Sequence, residues 1–528
     1  MMRRIVAIVI SSLVLVAAPA SAEIKLPAFF SDGMVLQQGR GVPVWGFADP
    51  GEEVSVTLSG QTRTVKADSE GRWMMRLDQL KAGGPLEMTV VGSNRITVRN
   101  ILVGEVWVAS GQSNMEWPVS KAANAQIEVG VADFPQIRMF TVKRAVADGP
   151  RLDVTGAWKK CSPETVGDFS AVGYFFAREL HRKIGVPIGV IHTSWGGTPA
   201  EAWTSRAAME ADPELRVILQ RSDEEVAEYL RFKDMYDAMV KAWRIEADKA
   251  DAEGRPRPKR PKMPVGPHSR KHPANLFNAM VAPLIPYGIK GVIWYQGEQN
   301  VREPDLYRRL FPALIRDWRA RWGQGDFPFL FVQLPNYLPR RPDKAGPERP
   351  AEPSDGQWAR LREAQFGALT LPNTAMVVAI DIGDPVDLHP KNKQDIGSRL
   401  ALAAEAVAYS RPVVYSGPIF DAMRVEGRKA ILSFRHMGGG LEAKGGQLIG
   451  FVVAGSERQF VRAEVRIVGD RVEVWSPEVD RPIAIRYCWA DNPACSLYNR
   501  EGLPASPFRT DDWPIPPPPK RATLPEQP

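Results

Sequence analysis

The chain has 528 residues, 44% hydrophobic and 24% charged, and at roughly 100 to 200 residues per domain that length predicts about three folded units. This balance excludes a wholly disordered, collagenous or disulfide-framework chain, and a formal net charge of +7 is too small over such a length to mark a nucleic-acid partner. The counts that stand out are 46 Pro, 15 Trp and only 3 Cys.

Residues 1–22 read as a signal peptide. Arg3 and Arg4 precede an apolar run from Ile5 to Val16, and Ala20-Ser21-Ala22 has the small-x-small form of a cleavage site, so cleavage is expected before Glu23. The run is short for a bilayer span and no later stretch is apolar for long enough, so the mature chain is expected to be periplasmic or secreted, without a membrane span. Processing would remove two positive charges and no acid, taking the net charge from +7 to +5. An oxidising compartment favours a local disulfide between Cys488 and Cys495, across the turn-like Asp491-Asn492-Pro493, and leaves Cys161 as a buried thiol. Three cysteines without a His cluster point to no metal and no cofactor.

Residues 23–100 have an all-β texture, with Pro43 to Gly46, Glu53 to Leu58 and Leu86 to Val91 as strands of a small sandwich. Ile101 to Ser110 reads as the first buried strand of a new domain spanning 101–410, in which apolar strands alternate with helical patterns as in a parallel α/β sheet. Its expected strands are Ile188 to His192, Gly291 to Gln296, Phe329 to Gln333 and Ala375 to Asp381; its expected helices are Tyr174 to Lys183, Tyr307 to Trp322 and Gln394 to Tyr409. An insertion at 205–275 interrupts the pattern. Leu215 to Ala252 reads as a charged helix or helical hairpin, and Gly254 to Pro273, rich in Pro with seven Lys or Arg, as a solvated linker or lid. Short strands return over 411–512 as a C-terminal β domain, and 513–528 is a Pro-rich tail containing Pro516 to Pro519.

Residues of chemical interest follow four of the strands, where open α/β sheets place their ligand crevice. Val106 to Ser110 leads into Gly111-Gln112-Ser113-Asn114-Met115-Glu116-Trp117, a strand ending in a tight turn that presents a hydroxyl. A hydroxyl becomes a nucleophile when a base takes its proton, and a Gly beside it lets the chain turn sharply and leaves an N–H for an oxyanion. The candidate base is His389 in Asp384-Pro385-Val386-Asp387-Leu388-His389-Pro390, with Pro390 as the expected first residue of a helix. Asp387 is the first choice of orienting acid and Asp384 the second; Glu298 is a third possibility. His181, His192, His268, His272 and His436 are weaker candidates as bases. Trp195-Gly196-Gly197-Thr198 and Trp294-Tyr295-Gln296-Gly297-Glu298 pair Gly with polar and aromatic side chains, so Gly196 or Gly197 N–H and the Gln296 amide are candidate oxyanion donors.

Gly111-Gln112-Ser113-Asn114-Met115, Trp195-Gly196-Gly197-Thr198, Leu276-Phe277-Asn278, Trp294 to Glu298, and Leu388-His389-Pro390 with Asn392-Lys393 match in order the pattern of the sialate O-acetylesterase family. The sequence resembles that family, part of the SGNH/GDSL superfamily, over nearly its whole mature length. The resemblance implies an α/β fold with an SGNH-type three-layer α/β/α core around a parallel sheet, flanked by N-terminal and C-terminal β-sandwich-like units. It also implies Ser113 as nucleophile, His389 as base, and Ser113 N–H, Gly196 or Gly197 and Gln296 as oxyanion donors. The superfamily's acid stands three residues before the His, where this sequence has Val386, so a Ser-His dyad is an alternative to Asp387; Gln296 stands where an Asn is usual.

The expected activity is a metal-independent serine esterase releasing acetate from O-acetylated carbohydrate. Gln112, Asn114, Trp117, Trp195 and Glu298 are candidate substrate-binding residues, and Trp203 and Tyr295 offer further aromatic faces. Without an evident cluster for a sialate carboxylate, the reading leans towards plant cell-wall glycans such as xyloglucan or xylan over O-acetylated sialic acid. The alternatives are a catalytically inactive carbohydrate-binding protein and a lipase or esterase of other acyl esters.

Overall fold

The computed structural model describes residues 23–263, 265–338 and 355–515; the signal-peptide segment and the tetraproline lie outside them. One strand, Arg95–Gly111, organises the molecule. Of its first six residues only Val98 is buried, and this stretch pairs antiparallel with Gly83–Val91. From Ile101 onward every residue is buried, as expected of a central parallel strand covered on both faces. Residues 100 and 101, read from sequence as a boundary, therefore lie within a single strand.

The central sheet runs, edge to edge, Thr374–Val377, Phe329–Val332, Gly291–Tyr295, Arg95–Gly111, Ile188–Ser194, Phe134–Thr141 and Trp158–Cys161. All pairings in it are parallel except the last. Register shows how its two faces are covered. Trp107 pairs with Gly291 and Ser110 with Trp294, so the two tryptophans point to opposite sides. Trp107 meets Phe176 of the helix Ala171–Ile184, whereas Trp294 packs on Phe311 and Trp318 of the helix Pro304–Trp322. The outcome is the three-layer α/β/α core that the resemblance implied, with Lys393–Tyr409 lying beside Ala171–Ile184. That helix begins one residue before the expected Gln394, but Pro390 lies ahead of it and is not its first residue; Asn392 caps it by accepting the Asp395 N–H at 3.1 Å.

Two β-rich units flank this core. In the N-terminal one, Val42–Phe47 pairs with Arg72–Leu77, a strand absent from the sequence reading, which buries Trp73, Met75 and Leu77 and exposes Arg72, Met74 and Arg76. Phe29, Phe30 and Trp45 cluster on Tyr287, whose hydroxyl donates to the Val35 carbonyl at 2.7 Å, so the unit shares a core with the α/β layer. The C-terminal unit has two four-stranded sheets around its own apolar core. It contains the Cys488–Cys495 disulfide, while Cys161 is a buried thiol pushed up to about 12 by desolvation.

The insertion is one helix, Arg216–Ala252, rather than a hairpin. Its Pro-rich return packs along it: Trp243 Nε1 donates to the Pro258 carbonyl and Gly266 lies against Tyr229. Instead of a free linker, the segment is a strap that carries Arg270 and His272 back to the core.

The C-terminal unit is tied to the α/β layer by Arg509, which bonds Glu363 at 2.7 Å, by Gln333, which donates to Ser506 Oγ at 3.1 Å, and most extensively by one buried guanidinium. The fully buried Arg362 donates to the carbonyls of Leu334, Pro335, Ala490 and Asp491 at 2.7 to 2.8 Å. Arg362→Met is expected to leave these buried acceptors unsatisfied and to destabilise the fold by about 3 to 5 kcal/mol in chemical denaturation. A loss below about 1 kcal/mol would show that water replaces the guanidinium.

Candidate active site

The nucleophile turn is a consequence of crowding. Gly111 has φ +138°, and a Cβ there would stand 2.1 Å from the Tyr295 carbonyl oxygen, which instead accepts the Gln112 N–H at 3.0 Å. The chain turns at once into the short helix Ser113–Glu116, whose entry has no side-chain cap. The Met115 and Glu116 N–H groups return to the Gln112 carbonyl, so the Ser113 N–H at the first helical position is left open beside its own hydroxyl.

Ser113 Oγ lies 2.9 Å from His389 Nε2, although 276 residues separate them. The imidazole lies flat on Trp117, with ring centres 5.0 Å apart and planes 15° apart. Desolvation, then the Lys393 ammonium, holds His389 below the usual histidine range, while Asp387 acts in the opposite direction. A neutral imidazole hydrogen-bonded to a hydroxyl is the geometry of general-base activation.

The three candidate acids separate clearly. Asp387 Oδ1 accepts the backbone N–H of His389 at 2.9 Å but stands 3.8 Å from Nδ1, beyond hydrogen-bond reach, and its carboxylate is half exposed. Asp384 accepts the N–H groups of Val386 and Asp387 and so shapes the loop. Glu298 turns away to Asn114 Nδ2 at 2.5 Å. Asp387 is thus the nearest acid without bonding the ring.

Gly196 is brought against the nucleophile: a Cβ on it would lie 3.2 Å from Ser113 Cβ. Its N–H donates to Glu116 Oε2 at 2.9 Å, and Gly197, at φ +70°, completes the turn. The expectation for Gln296 needs correction. Its amide is buried and already donates to Asn300 Oδ1 at 2.7 Å and the Thr198 carbonyl at 3.3 Å, which leaves no N–H for an oxyanion.

Most of the expected substrate contacts prove internal. Gln112 is buried and accepts the N–H groups of Gly297 and Gln299, fixing that loop. Asn114 is fully buried between Glu298, the Leu388 carbonyl and Lys393. Trp203 and Tyr295 belong to the core, and Trp117 serves as the face under His389. Trp195 is partly exposed, as are Trp117 and Glu298, and the guanidinium groups of Arg144 and Arg270 lie over its ring, each 5.6 Å from the centre. Arg144 also holds Glu116 Oε1 through Nε at 2.7 Å. Sequence reasoning missed Glu116, Arg144 and Arg270: Arg144 lies in a loop without a motif, and Arg270 in the segment read as a linker. The matched block Leu276-Phe277-Asn278 anchors a neighbouring strap, since Asn278 Nδ2 donates to the Ala147 carbonyl at 3.1 Å. His192, buried, lies 2.5 Å from Ser194 Oγ and is pushed down to about 4 by desolvation.

Comparison with known proteins shows what the whole chain is similar to. A family model described as carbohydrate esterase, sialic acid-specific acetylesterase matches residues 270–406. The sialate O-acetylesterase of Mus musculus is 31% identical, covering 93% of this chain and 95% of its own; that of Homo sapiens is 30% identical, covering 92% of each. The chain belongs to the sialate O-acetylesterase family. Among solved structures, a carbohydrate acetylesterase from Xanthomonas citri superposes with a TM-score of 0.77 at 40% identity, over 93% of this chain and 100% of that one. As a sialate O-acetylesterase family member the chain is a carboxylic ester hydrolase.

In a triad whose acid bonds the ring, removing that acid lowers kcat on the order of 10⁴-fold. Here Asp387→Asn is expected to lower kcat by no more than about tenfold, because the Asn oxygen can still accept the His389 N–H. The acid limb of kcat/KM should move to lower pH, since Asp387 favours the imidazolium and its loss lowers the His389 pKa. A pH–rate profile of Asp387→Asn beside wild type measures both effects.

Proposed function

We propose that the protein is a serine O-acetylesterase of carbohydrates, and the observation that carries this reading is the 2.9 Å contact between Ser113 Oγ and His389 Nε2 beside Gly196. His389 takes the Ser113 proton as Oγ attacks the acetyl carbonyl. The Ser113 N–H and a glycine N–H of the 196–197 turn face the developing oxyanion. Collapse of the intermediate breaks the bond to the sugar oxygen, which leaves with the proton from His389. Water, activated by the same imidazole, then attacks the acetyl-enzyme and acetate departs. For the Gly196 N–H to join, the Glu116 carboxylate, which Arg144 holds from its other oxygen, must swing off it.

For the sugar, the partly exposed Trp195 ring offers an apolar face for stacking, and Arg144 and Arg270 beside it favour an acidic substrate. Arg270 has no ion pair among the described residues, so a carboxylate would find an unspent guanidinium there. This supports a carboxylate-bearing O-acetylated sugar such as sialic acid, the substrate in the names of the mammalian relatives, over the neutral wall glycans towards which the sequence leaned. The enzyme is further proposed to act after export. No helix among the described residues is long and apolar enough to cross a membrane.

Acetate release from O-acetylated sialic acid, xylan, xyloglucan and pectin tests both levels. Ser113→Ala and His389→Ala should each lose at least about 10³-fold in kcat, and undiminished turnover by either would remove the mechanism. Arg270→Ala should raise KM for the acidic sugar about tenfold while leaving p-nitrophenyl acetate unaffected. Equal KM values with wild type, or faster turnover of the neutral glycans, would assign the arginines another role.

A further inference from the structure

Lys393 is the least expected charge in the molecule. It stands in the first turn of the helix Lys393–Tyr409, with no exposed surface, against the rings of Trp117 and Tyr295 at 5.9 and 5.5 Å. Its ammonium has three donors and one hydrogen-bonded acceptor, Asn114 Oδ1 at 2.5 Å. Asn114 in turn spends its amide nitrogen on two acceptors, Glu298 Oε1 at 2.5 Å and the Leu388 carbonyl at 3.1 Å. The polarity of this chain is fixed: turning the Asn114 amide over would set its N–H groups against an ammonium and its oxygen against two acceptors.

Sequence adjacency gives the chain its meaning. Asn114 follows Ser113, and Leu388 precedes His389. The bond from Asn114 to the Leu388 carbonyl therefore ties the nucleophile turn to the loop of the base, and Lys393 fixes the side chain that makes it. Asp387, 3.8 Å from Nδ1, makes no bond that would orient the ring.

We propose that Lys393 is a positioning residue of the esterase: acting through Asn114, it locks the Ser113 turn to the His389 loop and does the orienting that a ring-bonded carboxylate does elsewhere. Lys393 acts on His389 electrostatically as well. The charged groups facing His389 are Asp387 on its own loop and Lys393 on the helix, with Glu298 behind Asn114. Burial pushes Lys393 down to about 7, so the ammonium is protonated across the range in which His389 titrates below the usual histidine value. A neighbouring positive charge disfavours the imidazolium and keeps the base free of a proton at lower pH.

The inference rests on Ser113 and His389 as the reacting pair, and Ser113→Ala is the control. The test is p-nitrophenyl acetate hydrolysis by the full chain as Lys393→Met and as Lys393→Met/Glu298→Gln, the double variant leaving no unpaired buried carboxylate. Both should lose about 100-fold in kcat with KM nearly unchanged, the size of effect that loss of register between reacting groups produces. The acid limb of kcat/KM should move to higher pH, opposite to its movement in Asp387→Asn. Packing damage alone would lower the melting temperature without moving that limb. A folded double variant with wild-type kcat and an unmoved limb would overturn the proposal while Ser113→Ala remained inactive; an active Ser113→Ala would overturn the mechanism with it. Proton NMR of the wild type gives an answer that does not depend on the variants folding. A far-downfield Nδ1–H resonance of His389 that vanishes in Asp387→Asn would return the orienting role to the carboxylate, and its absence supports Lys393.

Discussion

The close approach of two strand ends governs everything built above them. The Tyr295 carbonyl stands where a side chain at position 111 would be, so the chain must leave the strand at Gly111 with positive φ and turn immediately. That turn puts Ser113 at the start of a helical turn with its N–H open and its hydroxyl over the carboxyl end of the sheet. Because Ile188–Ser194 and Gly291–Tyr295 are in parallel register with the same strand, the Gly196 turn and the Gln296–Glu298 loop emerge at the same level on either side. His389 arrives from beyond the far edge strand and is kept at that level by the cap of the next helix and by Trp117.

How legible this was depended on whether a residue's role was local. The strands Glu53–Leu58 and Arg471–Trp475 and the helices around Tyr307 and Gln394 followed from periodicity, because each buries one face or both in its own segment. The candidate pair Ser113 and His389 was found through turn chemistry and ordered motifs, again local signals. What failed required knowledge of partners. Gln112, Asn114 and Glu298 carry polar groups in a motif that looks made for a ligand, yet they bond one another and the neighbouring loops, which only the fold reveals. Arg270 reaches Trp195 because the strap runs back along the Arg216–Ala252 helix, and composition alone reads such a stretch as solvated.

The motif conservatively read as a binding surface is therefore better understood as two shells with different work. The inner shell is largely buried: Gln112, Asn114, Gln296 and Lys393, with the partly buried Glu298, fix three loops relative to one another through hydrogen bonds. Buried hydrogen bonds of this kind rigidify what they join, and the same low dielectric makes each of them expensive to break. The outer shell is Trp195 with Arg144 and Arg270, partly exposed or exposed.

The charges in the inner shell are consistent with this division. Glu298 is raised and Lys393 lowered, in each case chiefly by desolvation, so burial moves both members of the pair towards neutrality. Such a pair adds little to stability when compared with an apolar replacement, because each ion must lose its water. Its retention beneath a nucleophile turn calls for a reason other than stability, and geometry supplies one. An ammonium on one side of Asn114 and a carboxylate on the other leave that amide a single orientation, and this orientation points its second N–H at the Leu388 carbonyl. A hydrophobic pair of the same volume would pack as well but leave Asn114 free to turn, and the loop carrying His389 would lose its tie to Ser113.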